Sequence, residues 1–205
     1  MSTLGTLKTN IATLLRRDDL TAEIAIAIAR AIQHYEREVF TFNEARSTAL
    51  TTTVATRTVP LPSDFVRTDK LLVTVNNSTY EVLAEPGGIG ELEALYFSSS
   101  NTGAPSIYAI YAGAFYLYPI PDATYTLTLD YVQRPAALAT DNDSNAWTTD
   151  AEELIEARAM WWLQSQVIHD NDAAQASQMR EMMALAGLRR EATLRASSGR
   201  LRAHG

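Results

Sequence analysis

His34 and Glu38 lie four positions apart, a spacing that on a helix would let them hold two positions of a metal ion. A metal needs more donors than two, and the neighbouring sequence suggests none, so the pair reads as a helix-surface contact. Asp141 and Asp143 resemble the start of a calcium loop, but the glycine and closing glutamate of such a loop do not follow at the required spacing. They read as part of a linker. Pro86-Gly87-Gly88-Ile89-Gly90 is glycine-rich and precedes a helical pattern, an arrangement that could present free amides to a phosphate. It lacks the last glycine and the lysine of the phosphate-binding patterns, and no clear βαβ unit surrounds it, so it reads as a loop. His169 falls near a helix C-terminus, where a cation is favoured, and His204 falls in the tail. The G-x-S-x-G and H-E-x-x-H patterns are absent. The chain has no cysteine, which excludes disulfides and thiolate metal sites. No catalytic residue, cofactor site or metal ligand is therefore assigned, and the expectation is a non-enzymatic chain without a cofactor.

The remaining distinctive side chains suit contact rather than reaction. Adjacent residues of a helix point ~100° apart, so Trp161 and Trp162 serve different surfaces. Either one lies in the core and the other at a subunit contact, or both lie in the core. Met179, Met182 and Met183 read as flexible core filler. From Arg180 onward there are six arginines (180, 189, 190, 195, 200 and 202) against two glutamates, a balance of +4. The whole chain carries −7, so the first 179 residues carry −11. An acidic body does not attract nucleic acid, which needs cations to neutralise phosphates. A basic end on such a body reads as a docking segment for an acidic or polar partner, although cations also favour helix C-termini in their own right.

Helices at both ends and strands between them must position these residues. Leu4, Leu7, Ile11, Leu14 and Leu15 recur at helical spacing and predict a first helix ending near Arg16-Arg17. A second is predicted from about Thr21 to Val39. Ile24, Ile26 and Ile28 alternate as in a strand, but alanines at 22, 25, 27, 29 and 31 fill the gaps, and alanine is the best helix former. Ile26 lies about 200° round a helix from Ile24, so both faces are apolar and need cover. That cover is either an internal core or a neighbouring subunit, which makes Ile24, Ile26, Ile28 and Tyr35, with Trp161 and Trp162, the candidate subunit-interface residues.

Between Phe40 and Thr140 the period changes. Residues 70–75 and 79–83 flank Asn76-Asn77-Ser78, a hairpin signal. Tyr125, Leu127, Leu129 and Tyr131 alternate with polar residues, marking a half-buried strand. Tyr116-Leu117-Tyr118 is expected to pair with it across the turn Pro119–Asp122, and Ser106–Tyr111 is another expected strand. A short helix is predicted over Ile89–Phe97. Thr149 and Glu152 match a capping box opening a helix that runs to about Ile168. His169–Asp172 breaks it, and a last helix from about Ala173 to Ala196 carries Met179, Met182, Leu185, Ala186 and Leu188 on its apolar side. The expected fold is α+β and mainly helical. Residues 1–40 and 146–198 form a helical bundle, 41–145 an inserted small antiparallel β-sheet or sandwich, and 199–205 a C-terminal tail. No apolar run approaches the ~20 residues of a membrane span. The N-terminus lacks a signal-peptide layout, which predicts a chain that stays where it is made.

Several segments in order resemble the head–tail connector (adaptor) family of tailed bacteriophages and prophages. They are Asp19–Ile24 running into Ala31–Glu38, then Phe42-Asn43-Glu44-Ala45-Arg46, then Leu117–Asp122 with the strand that follows. Last comes Asn145–Glu152, opening a helix that contains Arg158-Ala159. The resemblance implies a structural virion protein, made in the host bacterial cytoplasm and located at the neck. It implies a homo-oligomeric, commonly dodecameric ring beneath the portal protein, contacting downstream tail or neck proteins. DNA would pass through its channel without specific binding. The segment that would dock on the portal holds Arg189, Arg190, Arg195, Arg200, Leu201 and Arg202. The tail after Gly199 is short, which sets it apart from members with a long extension into the portal. A tail-completion or stopper protein is the alternative within the same virion region.

Overall fold

The computed structural model describes residues 1–96 and 100–198, with side chains as far as Leu194. The chain divides into two compact units, one of residues 1–43 and 134–205, the other of residues 44–133. The expected end of the short helix at Phe97 and the tail 199–205 lie outside the described residues.

In the first unit α1 (Leu4–Leu15) starts where the Thr3 hydroxyl accepts the Thr6 amide, and Arg16 closes it in the left-handed region. Its buried stripe is Leu4, Leu7 and Ile11. α2 (Thr21–Tyr35) buries Ile24, Ala27, Ile28, Ala31 and Tyr35, one face at helical spacing. It stops at Tyr35 rather than Val39. Beyond it Asn43 is fully buried, accepting the Phe40 amide at 2.8 Å and donating to the Glu38 carbonyl at 2.7 Å.

Residues 139–145, the expected linker, form a structured cap. The Asp143 and Asp141 carbonyls accept the Leu4 and Gly5 amides, each at 2.9 Å, so the turn satisfies two free donors at the start of α1. Gly5 permits this close approach, since a Cβ there would lie 3.0 Å from the Asp141 carbonyl oxygen. Asn145 then caps a short helix, α4 (Ala146–Thr149), in a capping box with Thr148. The box predicted at Thr149 and Glu152 is not formed. The Thr149 hydroxyl instead donates to the Asn145 carbonyl, and Glu152 accepts from Ser2 and Asn10.

α5 (Glu152–Leu163) is buried nearly all round and packs against α1, α2, α4 and α6. A π turn (Gln164–Ile168) and His169 in the left-handed region end it, and Asp170 accepts the Ala173 amide to open α6 (Asn171–Ser198). The inward face of α6 runs through Ala174, Ser177, Glu181, Leu185 and Leu188. Met179, Met182 and Met183 point outward, so the predicted methionine core is corrected. The buried positions that replace it are partly polar and escape a hydrophobicity pattern. Trp147, 1% exposed, meets both Phe40 and Phe42 edge-on at 5.9 and 5.2 Å and anchors this core.

The second unit is one seven-stranded sheet. Its strands are β1 (Glu44–Thr51), β2 (Thr58–Pro60), β3 (Phe65–Val75), β4 (Ser78–Ala84), β5 (Ile107–Tyr111), β6 (Ala114–Tyr118) and β7 (Thr126–Gln133), in the order β1-β7-β3-β4-β5-β6-β2. Asn76 and Asn77, both left-handed, turn β3 into β4 as expected, and Ala112-Gly113 does the same between β5 and β6. Register shifts in β1 and β3 help the sheet curl into a half-barrel around Leu71, Val73, Phe115, Leu117, Leu127 and Leu129.

Two expectations fail here. β6 pairs with β5 and β2, not with β7, because residues 119–121 bond elsewhere: the Ile120 amide donates to Asn101 and its carbonyl accepts from Gly103. β4 and β5 are parallel and joined through α3 (Gly88–Tyr96), so a βαβ connection does surround the Pro86–Gly90 loop.

The fold is α+β, but the expectation of a mainly helical bundle with a small antiparallel sheet or sandwich is overturned. The chain is 44% helix and 26% strand, its sheet is wide, curled and mixed, and its helices do not make a clear bundle. β1 alternates only between exposed and half-buried positions, on mostly small and polar residues, and β2 is three residues long. Neither therefore shows a hydrophobic alternation from which the sheet's width could be read.

Candidate functional site

The densest polar arrangement sits where α2, α5 and α6 meet. The Tyr35 hydroxyl donates to Glu181, and Arg158 donates to the same Glu181 oxygen at 3.2 Å. The other Glu181 oxygen is buried without a hydrogen-bond partner among the described residues. Arg180 reaches Glu156 at 2.9 Å, and the Ser177 hydroxyl donates to Gln164 at 2.6 Å. Burial first, then the bond to Glu181, pushes the Tyr35 hydroxyl well above its ordinary value. A tyrosine held neutral in this way acts as a donor rather than a base. The cluster fastens three helices together, which is the commoner use of a buried polar network.

His34 and Glu38 do not pair, because α2 ends between them. His34 sits edge-on to Tyr35 with Nδ1 3.5 Å from Arg158, and Glu38 accepts from Arg189 at 3.0 Å on both oxygens. Asp141 pairs with Lys8 at 2.6 Å. Asp143 accepts the Ala139 and Thr140 amides and the Thr140 hydroxyl, and the Thr140 amide foremost holds its carboxyl below the usual Asp range. At the glycine-rich loop the Glu91 carboxylate folds against Gly87 and puts a negative charge at the start of α3, the place a phosphate would need.

Of the interface candidates, Ile24, Ile28 and Tyr35 are core, while Ile26 is 49% exposed. Trp161 and Trp162 are both half-buried, each under an arginine: Arg158 lies 4.4 Å from the Trp161 ring and Arg30 lies 5.0 Å from the Trp162 ring. Arg189 and Arg190 are exposed near the end of α6. The side chain of Arg195, and Arg200, Leu201 and Arg202, lie outside the described residues.

Sequence reasoning missed a groove of about 690 Å³ along α2, floored by Ala25, Ile26, Ala29 and Ile32 and walled by Pro135 and Leu138. The alanine-rich helix and the run Pro135-Ala136-Ala137 were its only signal. Arg30 and Gln33 also line an adjoining polar hollow of about 280 Å³ with His34 and Arg158. Among the described residues no three His, Asp or Glu side chains are grouped to hold a metal, and no helix is long and apolar enough to cross a membrane.

With most of the polar groups of this cluster held in internal pairs, the first unit offers the surfaces of a contact protein: an apolar groove, outward methionines and exposed arginines. The SU10 adaptor protein family matches residues 2–204, and the chain belongs to that family of phage head–tail adaptors. It is a phage structural protein and virion component, of a family not known to be enzymatic. No curated protein matches the chain.

Proposed function

We propose that the chain is one subunit of a homo-oligomeric ring seated beneath the portal protein, joining the capsid to downstream tail or neck proteins while DNA passes through. The family match over residues 2–204 carries this reading. The charge distribution supports it: the first 179 residues hold −11, and a channel wall of that sign does not retain phosphates as cations would. Arg189, Arg190, Arg195, Arg200, Leu201 and Arg202 are the portal-docking segment; the first three belong to the last turns of α6, beyond its buried positions Ala174, Ser177 and Glu181.

Co-sedimentation with the portal protein of the same phage tests the docking role. Deletion from Arg189 onward is expected to abolish attachment. Arg189 also holds Glu38, so a second variant carries R190E with R195E and keeps that ion pair. Retained attachment in both variants would refute the docking assignment.

A further inference from the structure

Two uncovered apolar surfaces on the first unit differ in shape and in the charge beside them. One is the groove along α2, with Ile26 on its floor. At its margin the Arg30 guanidinium stacks on Trp162 and has no carboxylate partner among the described residues. The other surface is a ridge on α6 formed by Met179, Met182 and Met183, the last two 65% and 69% exposed. Met183 borders a hollow lined also by Asp150 and Glu153, and neither carboxylate meets a cation among the described residues.

We infer that these surfaces meet between copies of the chain, the methionine ridge of one subunit lying in the α2 groove of the next. A helix ridge in an apolar groove is a standard mode of protein recognition, and unbranched methionines adapt to the groove's shape. The unpaired arginine lies beside the groove and the unpaired carboxylates beside the ridge, so a second copy supplies the missing charge of each. The two surfaces share no residue, so the contact is head-to-tail. Repetition of such a contact closes into a ring or runs on as a filament. The inference rests on the ring reading and names the faces that would build it.

The chain has no cysteine, so I26C and M182C introduce its only thiols. Under mild oxidation the double variant is expected to give a ladder of disulfide-linked multimers. An equimolar mixture of the two single variants should stop at the covalent heterodimer, and either single variant alone should give none. L14C with M182C, using another exposed position, measures random collision. Ready homodimer formation by I26C alone would replace the head-to-tail contact with a two-fold one and overturn the inference. Self-association seen in sedimentation, with I26C–M182C cross-linking no faster than the control, would overturn the faces and leave the ring reading standing. Absence of self-association both in solution and on portal-bearing particles would overturn both.

Discussion

The Tyr35 hydroxyl donates to the Glu181 carboxylate, joining residues 146 positions apart and fixing α6 against the last turn of α2. The same carboxylate oxygen takes Arg158 of α5, so one acceptor holds all three helices in register.

Removing that hydroxyl leaves a buried carboxylate with a single donor. Y35F is expected to lower stability by about 1–3 kcal/mol in urea unfolding at neutral pH. Because the folded tyrosine is raised above its unfolded value of about 10, its contribution is complete below that pH. It is lost as pH rises above that value, where the unfolded chain ionises first. Wild type and Y35F should therefore converge in strong alkali. A constant difference up to the alkaline limit would remove Tyr35 as its source.

The capping turn before α4 predicts an acid dependence. Asp143 is lowered in the folded chain, so its contribution is present above its unfolded value of about 3.9 and is lost as pH falls through the folded one. D143A should show a lower Tm than wild type at neutral pH, and the gap should close in the acid range. A gap that persists unchanged at low pH would mean that the side chain's charge has no part in holding the turn.

Between β5 and β6, Ala112 occupies the left-handed region at φ 47° beside Gly113 at φ 75°. A non-glycine residue there costs about 1–2 kcal/mol, and asparagine tolerates it better. A112N is expected to raise the urea midpoint by the equivalent of about 1 kcal/mol. An unchanged or lowered midpoint would show that the turn relaxes around alanine.

What the sequence disclosed was local. Asn76-Asn77 specified the β3–β4 hairpin because both residues tolerate positive φ, and the alternation of Leu127, Leu129 and Tyr131 marked β7 because one face is buried. What it concealed depended on distant partners. α6 turns Ser177 and Glu181 inward, where Gln164, Tyr35 and Arg158 bond to them, and no hydrophobic pattern records such pairs. The parallel pairing of β4 with β5 is likewise invisible, since each strand reads the same whichever neighbour it joins. Ile24 and Ile26 look equivalent as residues, yet one is core and the other faces the groove, a distinction set by the packing of α5. Among the contact surfaces, the arginine-rich end was legible as a charge block, and the groove was not, because segments more than a hundred residues apart build it.

The second unit departs and returns through one doorway: Glu44, its first residue, pairs with Val132 on the neighbouring strand. A segment whose two ends lie side by side can be shortened, enlarged or exchanged without stretching the chain that brackets it, because the loop left behind need only be brief. In a lineage under pressure to fit new partners, that makes residues 44–133 the part of the gene free to vary as a block. Recombination at the codons flanking Glu44 and Gln133 would trade one sheet for another as a single block.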